Sequence, residues 1–190
     1  MLDRTLAAAL LIPGLPALGI LAVVVRLSSP GPALYRQRRV GKGGKVFTML
    51  KLRTLADATA GTAWVPVKEP RITTPGRWLR KTHLENLPQL WNVLCGDMSL
   101  VGPRPDRPEL DSVLGDLIPG YPDRLAVQPG MMGLAQINLP ADTDLESVRQ
   151  RLALDLQYNR TASFRLDLRI VICSALRLIR FTPTVQEPSS

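Results

Sequence analysis

The 190-residue sequence predicts an α+β, mainly helical fold with an N-terminal re-entrant membrane helix hairpin, a small β-hairpin and interfacial amphipathic helices around a cytoplasmic site. Three observations lead to this prediction. Residues 6–25 contain no charged side chain, and residues 34–53 contain two strand-like segments around a glycine-rich turn. Residues 163–181 combine a wide apolar helical face with a basic rim, which is typical of a helix in a membrane interface, although a core helix with solvated arginines has the same pattern.

The N-terminal segment is long enough to cross a bilayer, because residues 6–25 would form a helix of about 30 Å. Pro13 and Pro16 remove helix hydrogen bonds at its midpoint, so the chain is expected to kink or turn there. A kinked span, a re-entrant hairpin and a buried helix pair are the alternatives. Arg4 and Arg26 favour the hairpin, because basic ends stay on the cytoplasmic side. The expected organisation is a membrane-embedded hairpin over 1–28, a cytoplasmic domain at the membrane surface over 29–182, and a tail over 183–190.

The net charge of +8 comes from the first part of the chain. Residues 1–53 hold nine Lys and Arg and the single acid Asp3, whereas the remainder has fifteen of each sign. The partner of this region is therefore anionic, and nucleic acid, anionic lipid and phosphorylated small molecules all fit. Nucleic acid is disfavoured because the basic residues lack interleaved aromatics. In the predicted hairpin, Lys51 and Arg53 lie on one strand face and are candidate phosphate ligands.

Residues 82–105 hold the densest set of reactive side chains. Glu85 and Asn86 precede Pro88 and an apolar run closed by Gly96, a pattern that predicts a short helix with Asn86 as N-cap. The N-terminus of a helix stabilises carboxylates and phosphates. Arg104, between two prolines, would hold its guanidinium rigidly for bidentate phosphate binding. His83 is the only histidine, so zinc is not expected.

The remaining segments complete the predicted fold. A loop, mobile or lid-like, is expected over 55–69, and an ordered, glycine-containing loop near the site over 127–134. Helices are expected over 71–82, 107–117, 142–155 and 163–181. Cys95 and Cys173 lie in apolar helical patterns, which indicates reduced core or membrane-facing thiols.

Four segments resemble the bacterial sugar transferase family, the monotopic polyprenyl-phosphate phosphoglycosyl transferases. They are SPGPALYRQRRVGKGGKVFTMLKLRT, PRITTPGRWLRKTHLENLPQLWNVLCGDMSLVGPRP, VQPGMMGLAQIN and LDLQYNRTASFRLDLRIV. The resemblance implies an enzyme of the bacterial inner membrane with a site on its cytoplasmic face. It would transfer a phosphosugar from a UDP-sugar to undecaprenyl phosphate and release UMP, as a first membrane step of surface glycan or exopolysaccharide assembly. It also implies a covalent carboxylate–phosphosugar intermediate and Mg²⁺, while the sugar and the oligomeric state, a homodimer included, stay open.

The sequence departs from this family at the residues that carry the chemistry. The family has an Asp-Glu pair before its LPQ segment, the Asp as nucleophile and the Glu as a magnesium ligand; this sequence has Glu85 and Asn86 as the catalytic and metal-binding candidates. Either Glu85 is the nucleophile of a re-tuned site, or the chain is a weakened homologue that binds substrate or regulates glycan assembly. Asp155 matches a supporting acidic position, with pairing to a nearby arginine as its alternative role, and Gln128 replaces a basic residue that is frequent in the family.

Overall fold

The computed structural model describes residues 2–56 and 72–179. Its helices are α1 Leu2–Ser28, α2 Thr74–Thr82, α3 Gln89–Cys95, α4 Pro108–Leu117, α5 Leu134–Asn138, α6 Leu145–Thr161 and α7 Phe164–Ile179. Its strands are β1 Leu34–Val40, β2 Val46–Leu52, β3 Ser99–Val101 and β4 Gly130–Met132. Three short 3₁₀ turns lie at Lys42–Gly44, Leu84–Asn86 and Tyr121–Ala126. The predicted mainly helical class with a small β-hairpin is confirmed. Most of the predicted loop at 55–69 and the predicted tail lie outside the described residues.

Helix α1 is one continuous helix of 27 residues that contains both Pro13 and Pro16. The turn expected at the two prolines, which would have divided the segment into the two arms of a hairpin, does not interrupt it. Each proline removes one backbone donor, but the neighbouring turns keep their own hydrogen bonds. The helix is long and apolar enough to cross a membrane.

The β-hairpin has the predicted bounds to within one residue. Strands β1 and β2 pair antiparallel from Leu34 opposite Leu52 to Val40 opposite Val46. The connecting turn places Gly43 and Gly44 at positive φ, a conformation that glycine adopts without steric cost. Arg53 follows the last residue of β2, but its backbone N–H donates to the Ala33 carbonyl over 2.8 Å, so the antiparallel pairing continues to the position predicted beside Lys51.

A second, parallel pair of strands was not predicted. Ser99 of β3 is opposite Gly130 of β4, and Val101 is opposite Met132. The sequence around Gly130 was expected to be a loop, because three residues are too few to show strand alternation. A Cβ on Gly130 would collide with the backbone of Val101 and Gly102, so the close approach of the two segments requires glycine there.

Most predicted helix ends agree with the observed ones. Thr73 caps α2, because its Oγ1 accepts from the Gly76 N–H. Asp144 caps α6 through a reciprocal capping box with Ser147, and this helix extends to Thr161, beyond the predicted end at residue 155.

Three apolar clusters hold the elements together. The main cluster joins α1, β2, α3, β3, α6 and α7 and contains Ala7, Met49, Val93 and Ile170 among its buried residues. A second cluster lies between α4, the Tyr121–Ala126 turn and α6, and a third joins α1, β2 and α2. Strand β2 and helix α3 are thereby fixed against each other, which brings the segment after Leu84 close to the end of β2.

Candidate active site

Lys51 lies at the centre of a group of cations. It shares the inner face of the β-hairpin with Arg39, and its ammonium interacts electrostatically with Arg104 and Arg80 as well. Burial, followed by repulsion from Arg104 and Arg39, lowers the pKa of Lys51 from 10.5 to about 8, although Glu85 acts in the opposite direction. Burial and Arg104 likewise lower the pKa of Arg39 to about 10. Burial is the larger cause of both shifts, and repulsion between the neighbouring cations adds to it.

Arg104 projects from a segment that is fixed on both sides. Its side chain is exposed, whereas Pro103 and Pro105 are buried. Arg39 donates through Nη1 to the Pro105 carbonyl over 2.8 Å, and Arg124 donates through Nη2 to the Arg104 carbonyl over 2.5 Å. The guanidinium of Arg104 therefore extends from an anchored backbone, as the two prolines predicted.

Glu85 lies in the 3₁₀ turn before α3, within electrostatic range of Lys51. Its side chain is 15% exposed. Oε1 accepts from Asn86 Nδ2 over 3.1 Å and is 3.9 Å from His83 Nδ1. Oε2 is buried and has no hydrogen-bond partner within residues 2–56 and 72–179. A buried carboxylate oxygen without a donor is costly unless it has a ligand, so this atom is the reactive candidate of the site.

Asn86 does not cap α3, contrary to the prediction. The cap position of α3 is Pro88, and no side chain caps this end of the helix in the described structure. The amide of Asn86 has side-chain partners instead, because Gln89 donates through Nε2 to Asn86 Oδ1 over 2.8 Å. Gln89 is buried, with 3% of its surface exposed, so this contact is shielded from water.

The pair Glu85 and Asn86 does not fit the predicted magnesium site. Mg²⁺ needs hard oxygen ligands in near-octahedral geometry. Asn86 Oδ1 already accepts from Gln89, and its amide nitrogen faces the oxygen of Glu85 that would have to share the ion. Within the described part of the chain, no group of three or more His, Cys, Asp and Glu side chains could hold a metal. Of the side-chain oxygens of Glu85 and Asn86, Glu85 Oε2 is the one without a hydrogen-bond partner among the described residues.

Asn92 positions the carboxylate relative to the cations and was not predicted. Its Oδ1 accepts from the Leu50 N–H over 3.0 Å, and its Nδ2 donates to the Thr48 carbonyl over 2.8 Å. These two bonds fix α3 along β2, next to Lys51. Asn92 is 3% exposed. A polar residue within an apolar helical run indicates a buried side chain that needs hydrogen-bond partners, and this feature of the sequence could have identified Asn92.

Arg53 has partners that make it a structural residue. It is 4% exposed, and its Nη1 and Nη2 donate to the carbonyls of Pro30 and Ser29, each over 2.7 Å. A Cβ on Gly31 would occupy the position of the Arg53 Nη1 atom, and the φ of +112° at Gly31 also favours glycine. The guanidinium thus closes the connection between α1 and β1. Its placement gives no support to the prediction that it binds phosphate.

Asp155 belongs to a buried ionic network behind Arg104. Its Oδ2 accepts from Arg124 Nε over 3.0 Å, so pairing with an arginine is its observed role. Arg124 also donates through Nη1 to Asp106 Oδ2 over 2.6 Å, and Arg151 donates to the same oxygen over 3.0 Å. Burial opposes ionisation of Asp106, but the two arginines outweigh it and hold the pKa of Asp106 below its ordinary value.

Among the described residues, the network links Asp155 to the site through Arg124, which bonds the Arg104 carbonyl. Asp106, Arg124 and Arg151 were not predicted, because they lie 15 or more residues apart along the chain and no local pattern links them. Gln128, expected near the site, donates through Nε2 to the Gly96 carbonyl over 2.6 Å and ties its loop to the end of α3.

The arrangement suits transfer of a phosphoryl group. A carboxylate with one uncommitted oxygen lies within electrostatic range of Lys51, and Lys51 is likewise coupled to Arg39 and Arg104, so these cations can neutralise a diphosphate. The sequence model of the bacterial sugar transferases matches residues 1–180. The chain belongs to the bacterial sugar transferase family.

Several relatives of this sugar transferase are named as transferases of a sugar phosphate to undecaprenyl phosphate. It is 44% identical over 176 residues to the UDP-glucose:undecaprenyl-phosphate glucose-1-phosphate transferase of Caulobacter vibrioides, an alignment that covers 90% of this chain and 66% of the relative. A protein of the same name from Xanthomonas campestris pv. campestris is 40% identical over 182 residues, which cover 93% of this chain and 38% of the relative. The exopolysaccharide production protein PSS of Rhizobium leguminosarum bv. phaseoli is 40% identical over 164 residues, 82% of each chain. The sugar transferase described here thus spans only part of the first two relatives.

Proposed function

We propose that this chain transfers a phosphosugar from a UDP-sugar to undecaprenyl phosphate and releases UMP, with Glu85 as the nucleophile. The observation that carries the proposal is the buried, partner-free Oε2 of Glu85 beside the cations around Lys51, in the segment that bears the family's catalytic pair. The names of the relatives support a UDP-sugar as donor and undecaprenyl phosphate as acceptor.

The reaction proceeds in two displacements at one phosphorus. Glu85 Oε2 attacks the phosphorus that carries the sugar, the bond to the bridging diphosphate oxygen breaks, and UMP leaves with that electron pair. The product on the protein is an acyl phosphate that carries the sugar. A phosphate oxygen of undecaprenyl phosphate then attacks the same phosphorus, which frees the Glu85 carboxylate and forms undecaprenyl diphosphate-sugar. Lys51 and Arg104 stabilise the charge on the transferring phosphoryl group.

Helix α1 is proposed to lie in one leaflet, with both of its ends on the same side of the membrane. Its packing positions, Ala7, Leu11, Leu18, Leu21 and Val25, are spaced by three, four or seven residues and contact the domain along the length of the helix. Close to its start, Asp3 Oδ2 accepts from Ser99 Oγ over 2.7 Å. A helix bound to the domain near both ends cannot cross a bilayer without carrying the domain into the hydrocarbon, which supports a monotopic arrangement.

Exposed apolar side chains support association with a membrane surface. The face of α1 opposite the domain exposes large aliphatic residues, and Trp78 and Trp91 are about half exposed on α2 and α3. Helix α7 exposes Phe164, Leu168, Ile172 and Leu176, which recur every four residues and form one stripe. With arginines in the same helix, this stripe suits the interface of an anionic membrane. We propose the cytoplasmic face of the bacterial inner membrane, where a first step of surface glycan assembly would take place.

The test uses purified protein in nanodiscs with undecaprenyl phosphate and a panel of UDP-sugars. UMP release is expected with at least one donor, and Glu85→Gln is expected to lower its rate at least about 10³-fold, as loss of a nucleophile does. Without acceptor, a labelled phosphosugar should remain on the wild-type protein, be removed by hydroxylamine, and be absent from Glu85→Gln. The exposed Glu109→Gln is the matched control and should keep full activity.

Two results would contradict the proposal. UMP release by Glu85→Gln at the wild-type rate would exclude Glu85 as the nucleophile. Binding of a UDP-sugar without release of UMP from any donor would favour a substrate-binding or regulatory partner of glycan assembly. Glu85→Asp adds a further measurement: lost activity would indicate a site adapted to the longer side chain, because a shift of roughly 1 Å in a reacting atom can cost about 10²-fold in rate.

A further inference from the structure

We propose that this site binds the donor diphosphate through its side-chain cations without a divalent metal ion, and that Asn86 is a positioning residue that holds Glu85 in place of a metal-binding carboxylate. The inference deepens the proposed function and rests on it for the identity of the donor.

The chemistry of Glu85 fixes the orientation of both amides. An ionised carboxylate only accepts hydrogen bonds, so the atom of Asn86 that lies 3.1 Å from Glu85 Oε1 is the amide nitrogen. The amide oxygen of Asn86 then faces Gln89, which must present its own nitrogen at 2.8 Å. Gln89 is buried, so this chain of donors is held rigidly and directs Oε1 of Glu85. Oε2 is left free for reaction.

A carboxylate at position 86 would create a different site. Its oxygens would face Oε1 of Glu85, and two adjacent carboxylates repel each other unless a cation lies between them. Asparagine removes that negative charge and adds a donor to Glu85 instead. The requirement for a bridging ion therefore disappears together with its second ligand.

Side-chain cations supply the charge that such an ion would bring. Lys51 lies within electrostatic range of Arg39, Arg80 and Arg104, with Glu85 as the opposing acid in this group. The diphosphate of a UDP-sugar carries about two negative charges, fewer than these four cations hold. A divalent cation would be repelled by the excess positive charge, and it would compete with the arginines for the phosphate oxygens.

The test measures donor binding and metal binding separately from turnover. UDP-glucose affinity is measured by calorimetry on the full-length protein in detergent, in excess EDTA and in excess Mg²⁺, and protein-bound Mn²⁺ is counted by electron paramagnetic resonance with UDP-glucose present. The wild-type affinity is expected to differ less than about threefold between the two conditions, a difference of under 1 kcal/mol. Asn86→Asp, which has the same shape, is expected to bind at least about tenfold more weakly in EDTA, to recover with Mg²⁺ and to gain one bound Mn²⁺.

Gln157→Glu is the matched control, because it adds one negative charge at an exposed position of α6 and should behave as the wild type. A wild-type affinity that falls tenfold in EDTA, or Mn²⁺ bound to the wild type, would overturn the proposal. So would Asn86→Asp with unchanged affinity in EDTA, or the absence of binding under both conditions by UDP-glucose and by every other UDP-sugar of the panel. UMP release is measured in parallel: binding without metal but without release would refute the proposed function alone, whereas release that requires Mg²⁺ would refute only this inference.

Discussion

Replacing Lys51 by methionine is expected to stabilise the fold and to abolish donor binding. Folding lowers the pKa of Lys51 from 10.5 to about 8, so the folded protein holds this proton less tightly than the unfolded chain does. At about 1.4 kcal/mol per pKa unit, the charged lysine destabilises the folded state by about 3 kcal/mol at neutral pH. Methionine keeps the aliphatic stem and removes the charge. For a domain of this size the melting temperature should rise by about 6–12 °C.

The destabilisation of the folded state by charged Lys51 depends on pH. Below about pH 8, Lys51 is charged in both the folded and the unfolded state, and the destabilisation is complete. Between pH 8 and 10.5, the folded protein loses the proton first, so its stability rises toward that of the variant. The gain from Lys51→Met should therefore be largest at neutral pH and disappear above pH 10.5.

The assay is thermal unfolding in one detergent across this pH range, together with UDP-glucose calorimetry. Lys42→Met, at the exposed turn of the β-hairpin, is the control and should change neither quantity. A melting temperature that falls in Lys51→Met, or a gain that does not depend on pH, would refute the idea that Lys51 is held in a crowded cationic site. Wild-type donor affinity should also decrease as the pH rises above about 8, because the bound diphosphate favours charged Lys51.

Two further predictions concern the buried charges. Arg53→Met should lower the free energy of unfolding by about 3 kcal/mol, because two charged hydrogen bonds to the carbonyls of Ser29 and Pro30 are lost. The variant should change UDP-glucose affinity less than about threefold. Weaker binding with an unchanged melting temperature would contradict the structural role of Arg53. Asp106→Asn should cost about 3–5 kcal/mol at neutral pH, measured by thermal unfolding, because Arg124 and Arg151 lose their shared carboxylate. Since folding lowers the pKa of Asp106, this difference should shrink as the pH falls below the ordinary value of 3.8, whereas the exposed Asp116→Asn should show none at any pH.

Side chains whose partners are distant in sequence were the ones that sequence reasoning misassigned. Lys51 and Arg53 are two residues apart, and the sequence predicts both as phosphate ligands. Lys51 faces Arg39 and Arg104, whereas Arg53 turns to the carbonyls after α1, 23 and 24 residues earlier in the chain. The local sequence pattern does not distinguish the two side chains, because their partners depend on how the connection after α1 packs against the β-hairpin.

The sequence by itself determined the apolar N-terminal helix, the β-hairpin, the capped helices and the segment that holds the site. Alternation, helical spacing, caps and turn glycines depend on residues close along the chain, so these features can be predicted without knowing the tertiary structure. Only the tertiary structure decided that α1 packs along the domain, that Asn86 turns to Gln89 and Glu85, and that Arg124 links Asp106 and Asp155 beneath Arg104. A buried polar group must find a partner wherever packing provides one, and that partner is set by the folded arrangement of segments far apart in sequence.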